Sequence, residues 1–250
     1  MPSYLVTGSS RGLGLGFVTE LLKGKDNVVI ATARDTAAST GLQELKGKHG
    51  DGQLHLIDLD VTNIESIHRA AQETSHLLPG GLDNLISNAG VNPNPLTSFE
   101  DIDVNEFIDE VNFNLTATLL LLREFIPLVR KSVAKRVLVI SSVLGSTELG
   151  ASMPNLQNAY STAKAALNMM VRKWSAVLKD QGITTVLLHP GYSASTEVGS
   201  GIEEWMKTYA PNVPRQTIEE CAESSMKVLA GITTKDNGLF YNYDGTKLPW

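Results

Sequence analysis

The stretch YLVTGSSRGLGLG, residues 4–16, decides the fold class. Residues 4–7 form a short apolar run typical of a buried strand, and Gly8, Gly12 and Gly14 follow as a helical pattern begins. This G-x-x-x-G-x-G spacing differs from the common G-x-G-x-x-G pattern, and the Gly-Lys-Ser/Thr of a P-loop is missing. Glycines at such a turn allow close approach to the backbone, and the N-terminus of the following helix favours a phosphate. The stretch therefore predicts a phosphate-binding loop after the first strand.

Beyond this loop, short apolar runs alternate with longer helical patterns. The alternation predicts a Rossmann-type, doubly wound α/β fold, with a mostly parallel seven-stranded sheet, helices on both faces and three layers. The predicted strands are 4–7, 28–32, 54–57, 82–87, 137–141, 184–188 and 239–241, and the predicted helices are 12–23, 36–47, 63–77, 103–131, 158–180 and 217–230. No linker or repeat divides residues 1–250, so we expect a single domain.

The bulk composition excludes several classes of function. The formal net charge is −6 and the sequence pI is about 5.4, which argues against a general nucleic-acid or anionic-membrane binder. The single cysteine, Cys221, rules out an intrachain disulfide and fits a reducing compartment. The five histidines form no ligand pattern, so we predict no metal. We see no signal peptide and no apolar stretch long enough to span a bilayer, and we expect a cytoplasmic protein.

Three long irregular segments follow the fourth, fifth and sixth predicted strands. They cover about residues 90–103, 143–158 and 191–216, and all three lie on the carboxyl side of their strands. Ligands of open α/β sheets bind at that edge, and loops of this length are more often functional than idle. We therefore expect these segments to form the substrate loops.

The end of the second strand bears on the choice of cofactor. A carboxylate at this position usually binds the ribose hydroxyl of NAD, whereas a basic residue accommodates the extra phosphate of NADP. Arg34 follows the strand, and Arg11 in the first loop could meet the same phosphate. Asp35 could act the other way, and Arg34 could be an ordinary surface arginine. We predict NADP(H) in preference to NAD(H).

A tyrosine and a lysine stand one helical turn apart in the segment NAYSTAK, residues 158–164. Tyr160 and Lys164 would lie on one face of the predicted helix, where a lysine favours the phenolate and lowers the pKa of the tyrosine. Tyr243 and Lys247 have the same spacing, but the intervening Asp-Gly predicts a turn, so the spacing alone establishes no site. The pair is a candidate acid/base centre.

Over essentially its full length the chain resembles the short-chain dehydrogenase/reductase family. The motifs that carry the resemblance, in the family's order, are TGSSRGLG (7–14), LDV (59–61), SNAG (87–90), NLTA (114–117), ISS (140–142), YSTAK (160–164) and HPG (189–191). Each motif is modest alone, but together they leave no realistic competitor for the fold.

The resemblance implies a catalytic tetrad of Asn114, Ser142, Tyr160 and Lys164. Tyr160 would protonate the developing alkoxide, and Lys164 would lower its pKa and bind the nicotinamide ribose. Ser142 would hydrogen-bond the substrate oxygen, and Asn114 would hold a water that links Lys164 to solvent. Two of these assignments have an alternative nearby in the sequence. Ser141 could take the role of Ser142, and Asn112 could take the role of Asn114.

The resemblance also implies a cofactor site that runs along the carboxyl edge of the sheet. Asp60 and Val61 would contact adenine, and either Thr196 or Ser195 would bind the carboxamide, because the spacing after Pro-Gly is one residue longer than usual. The full predicted set is Gly8, Ser10, Arg11, Gly12, Leu13, Gly14, Arg34, Asp60, Val61, Asn88, Ala89, Gly90, Tyr160, Lys164, Pro190, Gly191 and Thr196.

The long segment between Ser142 and Tyr160 is similar to that of the carbonyl-reductase-like and sniffer-like branch, as are ATARD (31–35) and the closing YNYDGTKLPW (241–250). That branch reduces aldehydes, ketones and quinones with NADPH, and some fungal members act on polyketide ketones. The predicted substrate contacts are Ser142, Leu144, Met153, Tyr160, Tyr192 and Trp205, which suit an apolar or aromatic carbonyl compound.

Several alternatives stay open from the sequence. The resemblance implies an NADPH-dependent carbonyl reductase, but an alcohol dehydrogenase working oxidatively and a non-catalytic NADP(H)-binding sensor or scaffold would use the same fold. Related dehydrogenases pair through the helix at 103–131 and the Tyr-Lys helix, whereas members of this branch can be monomers. A homodimer, a homotetramer and a monomer all remain compatible with the sequence.

Overall fold

The computed structural model describes residues 1–250, apart from the side chain of Asp51. One parallel sheet holds seven strands in the order β3-β2-β1-β4-β5-β6-β7. The strands are β1 (Ser3–Val6), β2 (Val28–Ala33), β3 (Leu54–Asp58), β4 (Asn84–Ser87), β5 (Arg136–Ile140), β6 (Thr184–His189) and β7 (Phe240–Asn242). The helices are α1 (Gly12–Leu21), α2 (Thr40–Gln53), α3 (Ile64–Leu77), α4 (Val104–Lys131), α5 (Asn158–Lys179), α6 (Glu197–Ser200), α7 (Glu203–Tyr209) and α8 (Ile218–Gly231).

Helices cover both faces of the sheet, so the strands are apolar on both sides. Successive strand residues point to opposite faces, and Leu5 and Val6 accordingly belong to different cores. One core packs the sheet against α3, α4 and α5, and the other packs it against α1, α2 and α8. This arrangement explains the near-continuous apolar runs of the strands and confirms the predicted three-layer fold.

The predicted elements agree with the observed ones, with two exceptions. Each strand lies within two residues of its prediction, but the helix predicted at 36–47 is wrong and lies at Thr40–Gln53. Thr36 instead binds Asp58 through its amide and hydroxyl, at 2.8 and 2.7 Å, and Ser39 becomes the N-cap. The segment 191–216, predicted as irregular, contains the short helices α6 and α7.

The strand order reverses between β1 and β4, and this places the first loop in a crevice at the carboxyl edge. The amide of Thr7 donates to Ile86 O at 3.1 Å, and the amide of Ser9 donates to Thr32 O at 2.8 Å. The loop after β1 is therefore fixed to both neighbouring strands. In open α/β sheets this reversal point is where ligands bind.

The N-terminus of α8 carries a capping box that we expect to contribute measurably to stability. Thr217 Oγ1 accepts from the amide of Glu220 at 3.1 Å, and Glu220 Oε2 accepts from the amide of Thr217 at 2.8 Å. Thr217→Ala removes the hydroxyl and should lower the free energy of unfolding by about 1 kcal/mol in urea denaturation. Ser224→Ala, which removes a hydroxyl bonded within the same helix, should change it by less than about 0.5 kcal/mol. Equal effects of the two variants would contradict the capping role.

Candidate active site

The glycine loop leaves backbone open on one side and packs tightly on the other. Gly8 and Gly12 have φ values of +68° and +56°, a backbone conformation that residues other than glycine rarely adopt. A Cβ on Gly14 would lie 2.1 Å from Gly8 O, whereas a Cβ on Gly12 would meet nothing within 4 Å. Gly14 therefore allows α1 to pack against the turn, and Gly12 leaves room for a phosphate at the helix N-terminus.

Other predicted residues of this loop act through the fold. Ser10 O accepts from Ser39 Oγ at 3.0 Å, which ties the loop to the N-terminus of α2. Leu13 is partly buried and packs against the core beneath α1. Arg11 forms an ion pair with Glu197 of α6, and both side chains are mostly exposed. The ion pair links the glycine loop to the segment after β6, across the carboxyl edge of the sheet.

The SNAG motif connects β4 to the glycine loop. Asn88 Nδ2 donates to Thr7 O at 2.9 Å and to Gly8 O at 3.3 Å, and Thr7 Oγ1 accepts from the amides of Asn88 and Ala89. A Cβ on Gly90 would lie 3.2 Å from Asn114 Oδ1 and 3.9 Å from Lys164 Nζ. The structure thus places this motif between the glycine loop and the Tyr160–Lys164 pair.

The charged residues that follow β2 and β3 lie close enough to interact. Arg34 is exposed, and the carboxylate of Asp35 is engaged in a turn, where Oδ1 accepts from the amide of Ala38 at 2.9 Å. Asp60 accepts from the hydroxyl and amide of Thr62, and these bonds, together with the charge of Arg34, hold the pKa of Asp60 below its usual range. Val61 beside it is buried. Of the two charged residues that follow β2, Arg34 is exposed and forms no hydrogen bond or short ion pair with the described residues.

Tyr160 and Lys164 lie one turn apart on the buried face of α5. Lys164 Nζ lies 5.3 Å from the centroid of the Tyr160 ring and donates to Ile140 O at 3.0 Å. The other two hydrogens of Nζ and the hydroxyl of Tyr160 form no hydrogen bond with the described residues. Tyr160 and Lys164 are therefore held within the fold, and hydrogen-bond donors of both side chains remain available. The rival pair has the predicted turn between its members, with Gly245 at φ +83°.

Burial dominates the ionisation of this pair. It raises the pKa of Tyr160, and the negative charge of Glu110 raises it further; burial also lowers the pKa of Lys164 to about 8. The expectation that Lys164 lowers the pKa of Tyr160 is wrong for this structure, because both groups are withdrawn from water. The phenol is protonated at neutral pH, as a tyrosine with the ordinary pKa of about 10 also is, and the raised pKa makes it a weaker acid.

Asn114 fixes the loop after β4 to helix α4. Its Nδ2 donates to Val91 O at 2.9 Å and to Glu110 O at 3.0 Å, and its Oδ1 accepts from the amide of Val91 at 3.2 Å. Both amide hydrogens are thereby used within the protein. The rival Asn112 is exposed, so the buried position belongs to Asn114.

The two adjacent serines have different surroundings. Ser141 Oγ donates to Asn168 Oδ1 at 2.6 Å in a buried contact, and Asn168 in turn donates to Gly145 O. Ser142 Oγ accepts from the amide of Leu144 at 3.2 Å, so its hydroxyl hydrogen is available. The geometry favours Ser142 as the serine that could bond a substrate oxygen.

Four of the predicted substrate residues meet in one apolar cluster, which we call the lid cluster. Its buried members are Leu156, Tyr192, Ile202 and Met206, and Leu144, Met153 and Trp205 pack against them. Trp205 also stacks on Tyr209, with ring centroids 5.2 Å apart. The segments 143–158 and 191–216 are therefore joined by apolar contacts above the carboxyl edge.

The segment after β6 is tightly folded. Pro190 is buried, and Gly191 has φ +94° with Gln216 Oε1 only 1.9 Å from the place of a Cβ. Thr196 Oγ1 caps α6 by accepting from the amide of Gly199 at 3.0 Å, and it donates to Ser193 O at 2.9 Å. Ser195 is exposed. Which of Thr196 and Ser195 contacts a carboxamide stays open.

Sequence reasoning missed two buried polar groups near the site. Glu110 of α4 has an Oε1 without a hydrogen-bond partner among the described residues, and the same holds for both amide atoms of Gln157, the residue before α5. Glu110 stands four residues before Asn114, a spacing that could have drawn attention to it. Nothing in the local sequence marked Gln157.

Two features of the described residues bear on other classes of site. No group of three or more His, Cys, Asp or Glu side chains is arranged to hold a metal ion there. In the same part of the chain, every helix is too short or too polar to cross a membrane. Cys221 is buried, and burial raises the pKa of its thiol to about 11, so it is a poor nucleophile.

Comparisons with known proteins agree with this geometry. A family model described as short chain dehydrogenase matches residues 3–207. An uncharacterized oxidoreductase of Schizosaccharomyces pombe is 34% identical over 255 residues, covering 99% of this chain and 97% of the relative. The NADPH-bound carbonyl reductase from chicken fatty liver has a TM-score of 0.88 at 33% identity, covering 100% of this chain and 99% of that one. The carbonyl reductase Sniffer of D. melanogaster has a TM-score of 0.87 at 27% identity, with full coverage of both chains. The chain is an oxidoreductase that belongs to the short-chain dehydrogenase/reductase family.

Proposed function

We propose that the protein is an NADPH-dependent carbonyl reductase that acts on an apolar or aromatic ketone, aldehyde or quinone. The observation that carries the proposal is the buried Tyr160–Lys164 pair, whose Tyr160 hydroxyl and two Lys164 N–H groups have no partner among the described residues. These donors can bond a carbonyl oxygen and the hydroxyl groups of a ribose, which is what the reduction of a carbonyl group by a dinucleotide requires. The similarity to the NADPH-bound chicken enzyme supports the same assignment.

The residues present fit a dinucleotide. Gly12 leaves open space at the N-terminus of α1, Asn88 holds the loop backbone, and Arg34 offers an exposed cation after β2. Lys164 has two unused donors for ribose hydroxyls. When bound, the nicotinamide would supply the hydride that the side chains cannot. Because the carboxylate of Asp35 is engaged in its turn, the surface after β2 favours the additional phosphate of NADP(H).

The chain's own residues would position the carbonyl group and supply the proton. The hydroxyl of Ser142 would donate to the carbonyl oxygen, where negative charge grows in the transition state. Tyr160 would then give its phenolic proton to that oxygen, because an alkoxide binds a proton more tightly than a phenolate does. Lys164, as an ammonium ion, would stabilise the tyrosinate that remains. The lid cluster would cover the apolar part of the substrate.

The activity is tested by following NADPH absorbance with purified protein and a panel of aromatic ketones, quinones and aldehydes, with NADH run in parallel. The proposal expects consumption of NADPH with several compounds and slower consumption of NADH. If no compound in the panel causes NADPH consumption but a separate titration shows tight NADPH binding, a non-catalytic sensor would be favoured. Turnover only from alcohols with NADP⁺ would favour an oxidative dehydrogenase.

Arg34 is expected to set the preference between the two cofactors. Arg34→Ala should lower kcat/KM for NADPH about 10- to 100-fold, because an exposed charge-assisted contact with phosphate contributes roughly 1.5–3 kcal/mol. The value for NADH should stay nearly constant. Arg69→Ala, which removes an exposed arginine of α3, serves as the control. An unchanged ratio of the two kcat/KM values in Arg34→Ala would contradict the phosphate role of this residue.

A further inference from the structure

Glu110 is a buried carboxyl group that the mechanism above does not use. It lies in α4, one turn before Asn114, and its backbone oxygen accepts one of the hydrogen bonds of the Asn114 amide. Only 5% of the residue is exposed, and its Oε1 has no hydrogen-bond partner among the described residues. A carboxylate oxygen in that position is costly unless the group is protonated or bound to water.

A small cleft connects Glu110 to the protein surface. Asn94 and Thr97 of the loop after β4, Glu106 of α4, and Asn158 and Ala159 of α5 line this cleft together with Glu110. Asn94 and Glu106 are exposed, and Asn94 Nδ2 donates to Glu106 Oε2 at 2.8 Å. Ala159 directly precedes Tyr160 in the chain. The carboxyl group therefore lines a cleft shared with α5, and its charge is close enough to Tyr160 to affect the pKa of that residue.

The side chain of Asn114 has little hydrogen-bonding capacity left for a water molecule. Both of its amide hydrogens are used on Val91 O and Glu110 O, so Asn114 can offer a water only the remaining capacity of Oδ1. A proton that travels from solvent to Lys164 passes through groups that both accept and donate, such as water or a carboxyl group. A carboxyl group does both, because it changes between its protonated and ionised forms.

We propose that Glu110 is the solvent-side end of the proton path that serves Lys164 and Tyr160. This inference rests on the proposed reductase function. In each turnover Tyr160 gives its proton to the alkoxide and takes one from Lys164. Lys164 then takes a proton from Glu110 through water, and Glu110 recovers one from solvent through the cleft. One proton is consumed for each carbonyl group reduced, and no additional reductant is needed.

The ionisation of Glu110 suits this role. Burial raises its pKa to about 7, so the protonated form is substantially populated at neutral pH and is lost above it. The titratable groups around it are Asp103, which is the N-cap of α4, Glu106 of α4, and Tyr160 and Lys164 of α5. The loop after β4 contributes the neutral Asn94 and Thr97 to the cleft. The negative charge of Glu110 raises the pKa of Tyr160, so the two groups also interact electrostatically.

Glu110→Gln tests the proposal, because it keeps the shape of the side chain but cannot exchange a proton. We expect kcat for carbonyl reduction at pH 7 to fall about tenfold, a modest share of the usual effect of acid–base groups. The KM for NADPH should not change. Imidazole buffer should restore most of the lost rate, and it should not stimulate the wild-type enzyme. Asp109→Asn, which changes an exposed carboxyl group of α4 outside the cleft, should behave like the wild type.

An infrared titration of the Glu110 carboxyl group does not depend on enzyme activity. It therefore tests the role of Glu110 separately from the proposed reductase function. The infrared band of the protonated carboxyl group, taken as wild type minus Glu110→Gln, should disappear with a midpoint near pH 7. A midpoint near the ordinary value of about 4.3 overturns the role of Glu110, whatever the activity. A Glu110→Gln variant as fast as the wild type also overturns it, as does a loss that imidazole does not restore. A wild-type protein that reduces no carbonyl compound overturns the proposed function alone, and the infrared midpoint then still decides whether Glu110 exchanges a proton at neutral pH.

Discussion

Replacing Tyr160 by Phe should lower kcat for carbonyl reduction about a thousandfold while leaving NADPH binding nearly unchanged. The variant loses only the phenolic oxygen, and general acids typically contribute about 10²- to 10⁴-fold. The ring stays buried on α5 beside Lys164, so the fold and the cofactor crevice should persist. Steady-state kinetics and a fluorescence titration with NADPH measure the two quantities separately.

Tyr243 provides a matched control for this substitution. It stands four residues before Lys247, as Tyr160 does before Lys164, but the chain between them turns at Gly245. Tyr243→Phe should therefore keep wild-type kcat. A Tyr160→Phe variant that retains more than about a tenth of the wild-type kcat would contradict the assignment of Tyr160 as the proton donor.

Gly14→Ala should have the largest structural effect of the substitutions considered. The added Cβ would lie 2.1 Å from Gly8 O and 2.7 Å from Asn88 Nδ2, so α1 must move away from the turn. We expect a loss of about 3 kcal/mol in the free energy of unfolding, at the upper end for an overpacked site. A similar distortion of the phosphate loop would weaken NADPH binding about a hundredfold. Urea denaturation and an NADPH titration of the folded variant measure these effects.

Gly47→Ala is the control for the Gly14 substitution. Gly47 lies inside α2, is exposed, and has nothing within 4 Å of an added Cβ. Because alanine is the better helix former, this variant should be about 0.5–1 kcal/mol more stable than the wild type, with unchanged NADPH binding. If Gly14→Ala bound NADPH as tightly as Gly47→Ala, the close packing of the loop would not matter for the cofactor.

The sequence predicted the sheet well because its signals are local. An apolar run followed by glycines identified β1 and the loop after it, and the period of apolar residues identified α4 and α5. The start of α2 was predicted wrongly because Thr36 binds Asp58, which is 22 residues away in the chain. Local propensity carries no information about such a contact.

The candidate site was predicted in its residues but not in its electrostatics. The motifs placed Tyr160 and Lys164 together, and the structure does the same. The direction of the Tyr160 pKa shift was wrong, since burial depends on packing from α4 and the surrounding loops rather than on spacing within α5. Glu110 was missed for the same reason: a glutamate in a helix looks exposed until the opposite surface is known.

The proposed reduction is tested most directly by following the hydride from C4 of the nicotinamide to the product. NADPH deuterated at each C4 position in turn is incubated with the protein and a carbonyl compound from the panel, and the alcohol is examined by mass spectrometry and NMR. Direct hydride transfer predicts one deuterium on the carbinol carbon from one of the two labelled forms. Tyr160→Phe should lower the rate of this transfer about a thousandfold. An alcohol without deuterium from either form would contradict direct hydride transfer in this crevice.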